Sequence, residues 1–122
     1  MLSDKKLTAF VQSLKPDQAK RFYKDILGLK LLSEDDYALE FDVKGTLLRV
    51  TTVLDLKPQP FAVLGWRVDN LVDEIRELNE KNILFERYDF LEQDKLGIWT
   101  SPNGTMVAWF KDPDGNILSL TE

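Results

Sequence analysis

The sequence predicts an α+β fold in which a β-α-β-β-β arrangement occurs twice. Three observations carry this prediction. A strand-like run, an amphipathic helix and three more strand-like runs fill residues 7–53, and the same order restarts at Phe61 after a proline-bearing linker. Both helices end on a residue suited to the left-handed conformation, Gly28 in the first copy and Asn82 in the second. The chain closes in Asp112-Pro113-Asp114-Gly115-Asn116, a turn between the apolar runs 106–110 and 117–121. There Pro113 presets φ, Gly115 or Asn116 can take positive φ, and Asp112 can bond the backbone ahead of it.

The elements follow in order. Residues 7–13 alternate as a strand, with Thr8, Phe10 and Gln12 on one face and Ala9, Val11 and Ser13 on the other. Pro16 with Asp17 starts a helix. Ala19, Phe22, Tyr23, Ile26 and Leu27 then form an apolar stripe at helical spacing that stops at Gly28. Phe22 and Tyr23 are expected to pack against the sheet. Strands are expected over residues 29–33, 37–43 and 46–53, the last two joined by a turn at Lys44-Gly45. The segment Asp55-Leu56-Lys57-Pro58-Gln59-Pro60 is extended, because its two prolines forbid a helix. In the second copy, residues 61–68 form a strand and Asp69 or Asn70 caps a helix carrying Leu71, Ile75 and Leu78. Residues 83–86 form the next strand, and Trp66 faces the core. The second copy is the longer one. Its extra residues, between Arg87 and Gly104, are expected to form an arm or a short hairpin.

Composition narrows the function. A chain of 122 residues, 43% hydrophobic, suits one domain spanning 1–122, built of modules at about 5–54 and 60–122. No apolar run is long enough to span a membrane, and the N-terminus lacks the apolar stretch of a secretory signal. The formal charge of −5, with basic residues gathered only on a mixed-charge helix face, argues against a nucleic-acid partner. A cytoplasmic protein acting on a small molecule is expected. There is no cysteine and no histidine. Thiolate metal sites, serine–histidine and cysteine–histidine nucleophiles, and the usual zinc, nickel and iron sites are therefore excluded. Any metal would rely on carboxylates, amides or water.

Phe22-Tyr23-Lys24-Asp25-Ile26-Leu27-Gly28-Leu29 near the start and Phe110-Lys111-Asp112-Pro113-Asp114-Gly115-Asn116-Ile117-Leu118-Ser119-Leu120 at the end together resemble the vicinal oxygen chelate superfamily. That superfamily includes glyoxalase I, extradiol dioxygenases and bleomycin-resistance proteins. The resemblance covers nearly the whole chain. It implies a cupped mixed sheet with the helices on its outer face and, on family grounds, a homodimer. In metal-dependent members it also implies a divalent ion held by the first and last strands of each module. Carried over one by one, those positions fall at Thr8 (or Phe10, two residues on), Arg49, Val63 (or Gly65) and Ser119. None is a usual ligand, and the Arg49 cation would repel an ion. This member therefore lacks the metal ligands, and no metal or other cofactor is expected. Glu86 and Glu92 are the nearest candidates for a general base, although a lone glutamate at a strand end is ordinarily a solvated charge.

What remains is a binding surface. By alternation, Thr8, Phe10, Gln12, Phe41, Arg49, Phe61 and Arg67 point the same way as the metal positions, while Trp99 and Trp109 wall the cavity. Arg49 either holds a ligand carboxylate, phosphate or enolate or pairs with an internal acid. The reading that follows is a metal-independent small-molecule binding protein with an anionic or aromatic ligand. The alternatives are a glyoxalase-like metal-dependent lyase, isomerase or dioxygenase with atypical ligands, and a ligand-free dimerising domain.

Overall fold

The computed structural model describes all 122 residues, and the chain divides into two compact units, 1–57 and 58–122. Each unit carries one four-stranded mixed sheet, and together they give the expected two βαβββ modules.

After a 3-10 turn at Leu2–Asp4, the first unit runs through strand β1 (Thr8–Ser13), helix α1 (Pro16–Lys20), and strands β2 (Lys30–Glu34), β3 (Ala38–Val43) and β4 (Thr46–Thr52). The strand order is β1-β4-β3-β2, with β1 parallel to β4 and the other pairs antiparallel. Helix α1 continues as a π-helical segment, Arg21–Ile26, in which the Leu27 N–H reaches the Phe22 carbonyl. The wider turn lets two consecutive aromatic residues both face inward. Phe22 and Tyr23 are buried and meet edge to face at 5.0 Å. Gly28 ends the segment at φ 75°. The β3–β4 hairpin turns at Lys44 and Gly45, both at positive φ as a type I′ turn demands, and the Asp42 carboxylate accepts the Gly45 N–H.

The second unit contains β5 (Ala62–Arg67), α2 (Leu71–Glu80), β6 (Trp99–Thr100), β7 (Met106–Lys111) and β8 (Ile117–Thr121). Its order, β5-β8-β7-β6, repeats the parallel and antiparallel pattern of the first. Asn70, not Asp69, is the N-cap, its Oδ1 accepting the Asp73 N–H at 3.1 Å. Asn82 sits at φ 66°. The strand expected at residues 83–86 does not form. Phe85 makes one isolated bridge to Phe110, and the Glu86 N–H bonds the Trp109 carbonyl. Leu84 is exposed, so this stretch lacks a second apolar face to bury and pairs only at its end.

The core of each unit lies on one face of its sheet. Leu39, Phe41, Leu48 and Val50 are buried in the first unit, and Ala108, Phe110, Leu118 and Leu120 in the second, where Leu71, Ile75 and Leu78 of α2 are buried too. Trp66 lies on the inner face as expected, aligned with Leu120 and Ala108. The closing turn is built around the buried carboxylate of Asp112. Its Oδ1 accepts the N–H groups of Asp114 and Asn116, and its Oδ2 accepts the Asn116 amide. With these donors the burial of a charge is sustained. Gly115 supplies the positive φ, 86°. No helix is long and apolar enough to cross a membrane.

Candidate functional site

Register decides which side chains share a face, because successive residues of a strand point to opposite sides. In the first unit, Phe10, Arg49 and Glu40 lie opposite one another across β1, β4 and β3, and Ser33 of β2 pairs with Glu40. These four residues form one row on the face away from α1. Arg49 Nη1 donates to Glu40 Oε2 at 2.8 Å, and the Ser33 hydroxyl donates to Glu40 Oε1 at 3.1 Å. The cation is thus neutralised by its cross-strand neighbour, and both carboxylate oxygens are engaged. Phe10 is well exposed at the end of the row.

Two expectations need correction here. Phe41 is not on this face: it is fully buried against Tyr23, with ring centroids 6.1 Å apart, and its cross-strand partner is Leu48. The alternation of β3 places Glu40, not Phe41, beside Arg49. The second correction concerns frame. Thr8 pairs with Leu47, whereas Phe10 is the residue beside Arg49, with Gln12 one row on beside Thr51. In the second unit, Gly65 is the residue beside Ser119, and Val63 falls at a bulge in β5 where the register shifts. Phe61 precedes the strand and is exposed.

The corresponding face of the second unit carries different chemistry. Gly65, Ser119 and Trp109 form one row, and Arg67, Thr121, Val107 and Trp99 the next. Trp99 and Trp109 approach to 6.3 Å between centroids. Tyr88 packs edge-on against Trp109 at 5.7 Å, and Phe90 lies 5.6 Å beyond Tyr88. Partial burial pushes the Tyr88 hydroxyl pKa up, the Glu86 carboxylate adds to this, and Lys111 opposes it. Glu86 and Lys111 pair at 3.3 Å. The sequence pointed to Trp99 and Trp109 but missed Tyr88 and Phe90. The signal available was a pair of aromatics two residues apart inside the insertion.

The insertion closes as a short hairpin, the second of its two expected forms. Gln93 bridges to Trp99, and the Asp94 N–H bonds the Ile98 carbonyl. The Gln93 side chain accepts the Tyr88 N–H and donates to the Glu86 and Gly97 carbonyls, which fixes Tyr88 against the sheet. Beside this hairpin lies an open cleft of about 380 Å³, lined by Glu92, Gln93, Asp94, Ile98, Trp99 and Thr100. A second cleft of about 430 Å³, in the first unit, is lined by Asp17, Glu34, Asp35 and Asp36 among others. Two of these acids are already engaged. Asp35 accepts the Tyr37 and Ala38 N–H groups, which lower its pKa, and Glu34 accepts from Lys20.

These residues do not fit a divalent ion. No group of three or more carboxylate, imidazole or thiolate side chains is placed to hold a metal ion, the acids around the first-unit cleft included. Of the positions the resemblance assigns to ligands, the register selects Phe10 over Thr8 and Gly65 over Val63, neither with a donor, beside Arg49, a cation, and Ser119, a neutral hydroxyl.

The comparisons agree with this fold. The family model described as Glyoxalase/Bleomycin resistance protein/Dioxygenase superfamily matches residues 9–120, and the chain belongs to that superfamily. No curated protein matches it in sequence. Among solved structures, the glyoxalase family protein from Enterococcus faecalis superposes with a TM-score of 0.71 at 23% identity, covering 100% of both chains. A lactoylglutathione lyase from Agrobacterium tumefaciens gives 0.74 at 18% identity, with coverage of 98% of this chain and 93% of that one. A superfamily member from Sphaerobacter thermophilus gives 0.75 at 17% identity, with coverage of 100% and 99%. At these identities the likeness establishes the fold alone.

Proposed function

We propose that the chain is a metal-independent member of its superfamily that binds a small aromatic or anionic metabolite, acting as a cytoplasmic homodimer. The observation that carries this reading is the Arg49–Glu40 ion pair, which puts a neutralised guanidinium where a metal ligand would stand. The aromatic cluster around Trp109 supports a binding role, because an apolar wall with a few polar groups suits a small organic ligand. The lyase among the structural neighbours keeps a metal-dependent enzyme as the competing reading, and metal content separates the two.

Purified protein is expected to contain no stoichiometric ion by elemental analysis. Its melting temperature is expected not to move in Ni, Co, Mn, Zn or Mg. A one-to-one ion accompanied by a rise in melting temperature would overturn the reading and make the enzyme the better account.

A further inference from the structure

We infer that the Gly65 face of the second unit selects an aromatic acid, with its ring against Trp109 and Trp99, its carboxylate at Arg67 and the Ser119 hydroxyl between them. This rests on the binding reading above and names the ligand class.

Three observations lead to it. First, Arg67 makes no salt bridge, in contrast to Arg49, and it is exposed on the tryptophan-bearing face. An unpaired guanidinium presents a planar fork that matches a carboxylate. Second, the floor beside it is bare. Gly65 has no side chain, and a Cβ built there would come within 2.4 Å of the Ser119 Oγ. The hydroxyl therefore leans over the glycine, into the space a larger residue would fill, and stands ready to bond a ligand oxygen. Third, the far side of that floor is aromatic and held in place. Trp109 is braced by Tyr88 and Trp99, and Tyr88 is fixed through Gln93.

The spacing suits a small ligand. Arg67 and Trp109 stand two strands and two residues apart, so their Cα atoms are roughly 12 Å apart by strand geometry. Ser119 lies on the strand between them, level with Trp109, so a ring stacked on Trp109 would carry its carboxylate across Ser119 toward Arg67. A neutral aromatic would leave Arg67 without a partner, and an aliphatic acid would forgo stacking.

The test uses full-length protein and tryptophan-fluorescence or calorimetric titration with 4-hydroxybenzoate, benzyl alcohol and cyclohexanecarboxylate. The hydroxybenzoate is expected to bind tightest. Arg67→Gln, at an exposed position, should weaken it about 10- to 100-fold while leaving benzyl alcohol unchanged. Gly65→Ala should displace the Ser119 hydroxyl and weaken it as well. Equal binding to wild type and Arg67→Gln, a preference for the alcohol, or no binding of the acid would overturn the inference. A thermal-shift screen of neutral and cationic metabolites separates the two levels. A hit there, without acid binding, sinks the aromatic-acid class and keeps the binding reading. No hit there and no binding of the acid sinks both.

Discussion

The two units share one topology and differ in what the matching face of each sheet presents. In the first, a cation sits in mid-row and is neutralised at 2.8 Å by its cross-strand neighbour. In the second, the matching row holds a glycine, a hydroxyl and a tryptophan, and the nearby cation on β5 is left unpaired. The inner faces are alike: each is apolar and centred on a fully buried phenylalanine, Phe41 or Phe110. Selection for folding constrains the buried face of a repeated module, because every methylene there affects packing. The other face is free to diverge. The first unit has used that freedom to satisfy itself, and the second to expose unmatched chemistry.

The largest test concerns the shared part. Phe41→Ala and Phe110→Ala should each cost about 3–5 kcal/mol, measured by denaturant unfolding. Similar losses would mean the two cores carry comparable weight. A much smaller loss at either would break the likeness of the inner faces.

A smaller effect is expected where the units differ. Glu40→Gln removes the partner of Arg49, but both side chains keep about a third of their surface in solvent, 33% and 28%. The expected cost is about 0.5–1 kcal/mol, falling with added salt. A loss several times larger would mean that the first face depends on its ion pair far more than its exposure implies.

The smallest effects are in pH dependence, and they have opposite signs in the two units. The Asp35 carboxyl is held below its ordinary value of 3.8, first by the Tyr37 N–H and then by the Ala38 N–H. Its contribution is therefore present above that value and is lost as pH falls through the lower folded pKa. Asp35→Ala should lower stability at neutral pH and flatten the acid limb of the unfolding profile. The Tyr88 hydroxyl is held above its ordinary value of 10.0, first by burial. Stability is then intact below that value and lost as pH rises through the higher folded pKa. Tyr88→Phe should flatten the alkaline limb and leave the acid limb alone. A change in the wrong limb for either variant would show that the assigned cause is mistaken.

Much of the fold was legible because its signals are local. Gly28, Asn82 and Gly115 each mark a place where the backbone needs positive φ, and each has it. Pro16 and Asn70 start their helices, and Lys44-Gly45 turns its hairpin. Arg49, Trp99 and Trp109 could be singled out because an arginine or a tryptophan on a strand is informative by type. Phe41 went to the wrong face because alternation within one strand does not say which face meets the next strand's. Phe10 and Gly65 took the places of Thr8 and Val63 because residues two apart share a face, and alternation alone does not tell the two frames apart. Tyr88 and Phe90 joined the site only through the hairpin that Gln93 and Asp94 hold together.

By itself, then, the sequence determined the repeated βαβββ pattern, the helix ends, the closing turn and the absence of histidine and cysteine chemistry, but not that β6 at Trp99–Thr100 would replace the strand expected at residues 83–86. Those follow from torsional preference and composition, which are settled within a few residues. The tertiary structure decided which side chains became neighbours: Glu40 rather than Phe41 beside Arg49, Gly65 beside Ser119, and Tyr88 against Trp109. That choice depends on register between distant segments. A one-residue slip exchanges the two faces of a strand, so the packing of the whole unit has to make it.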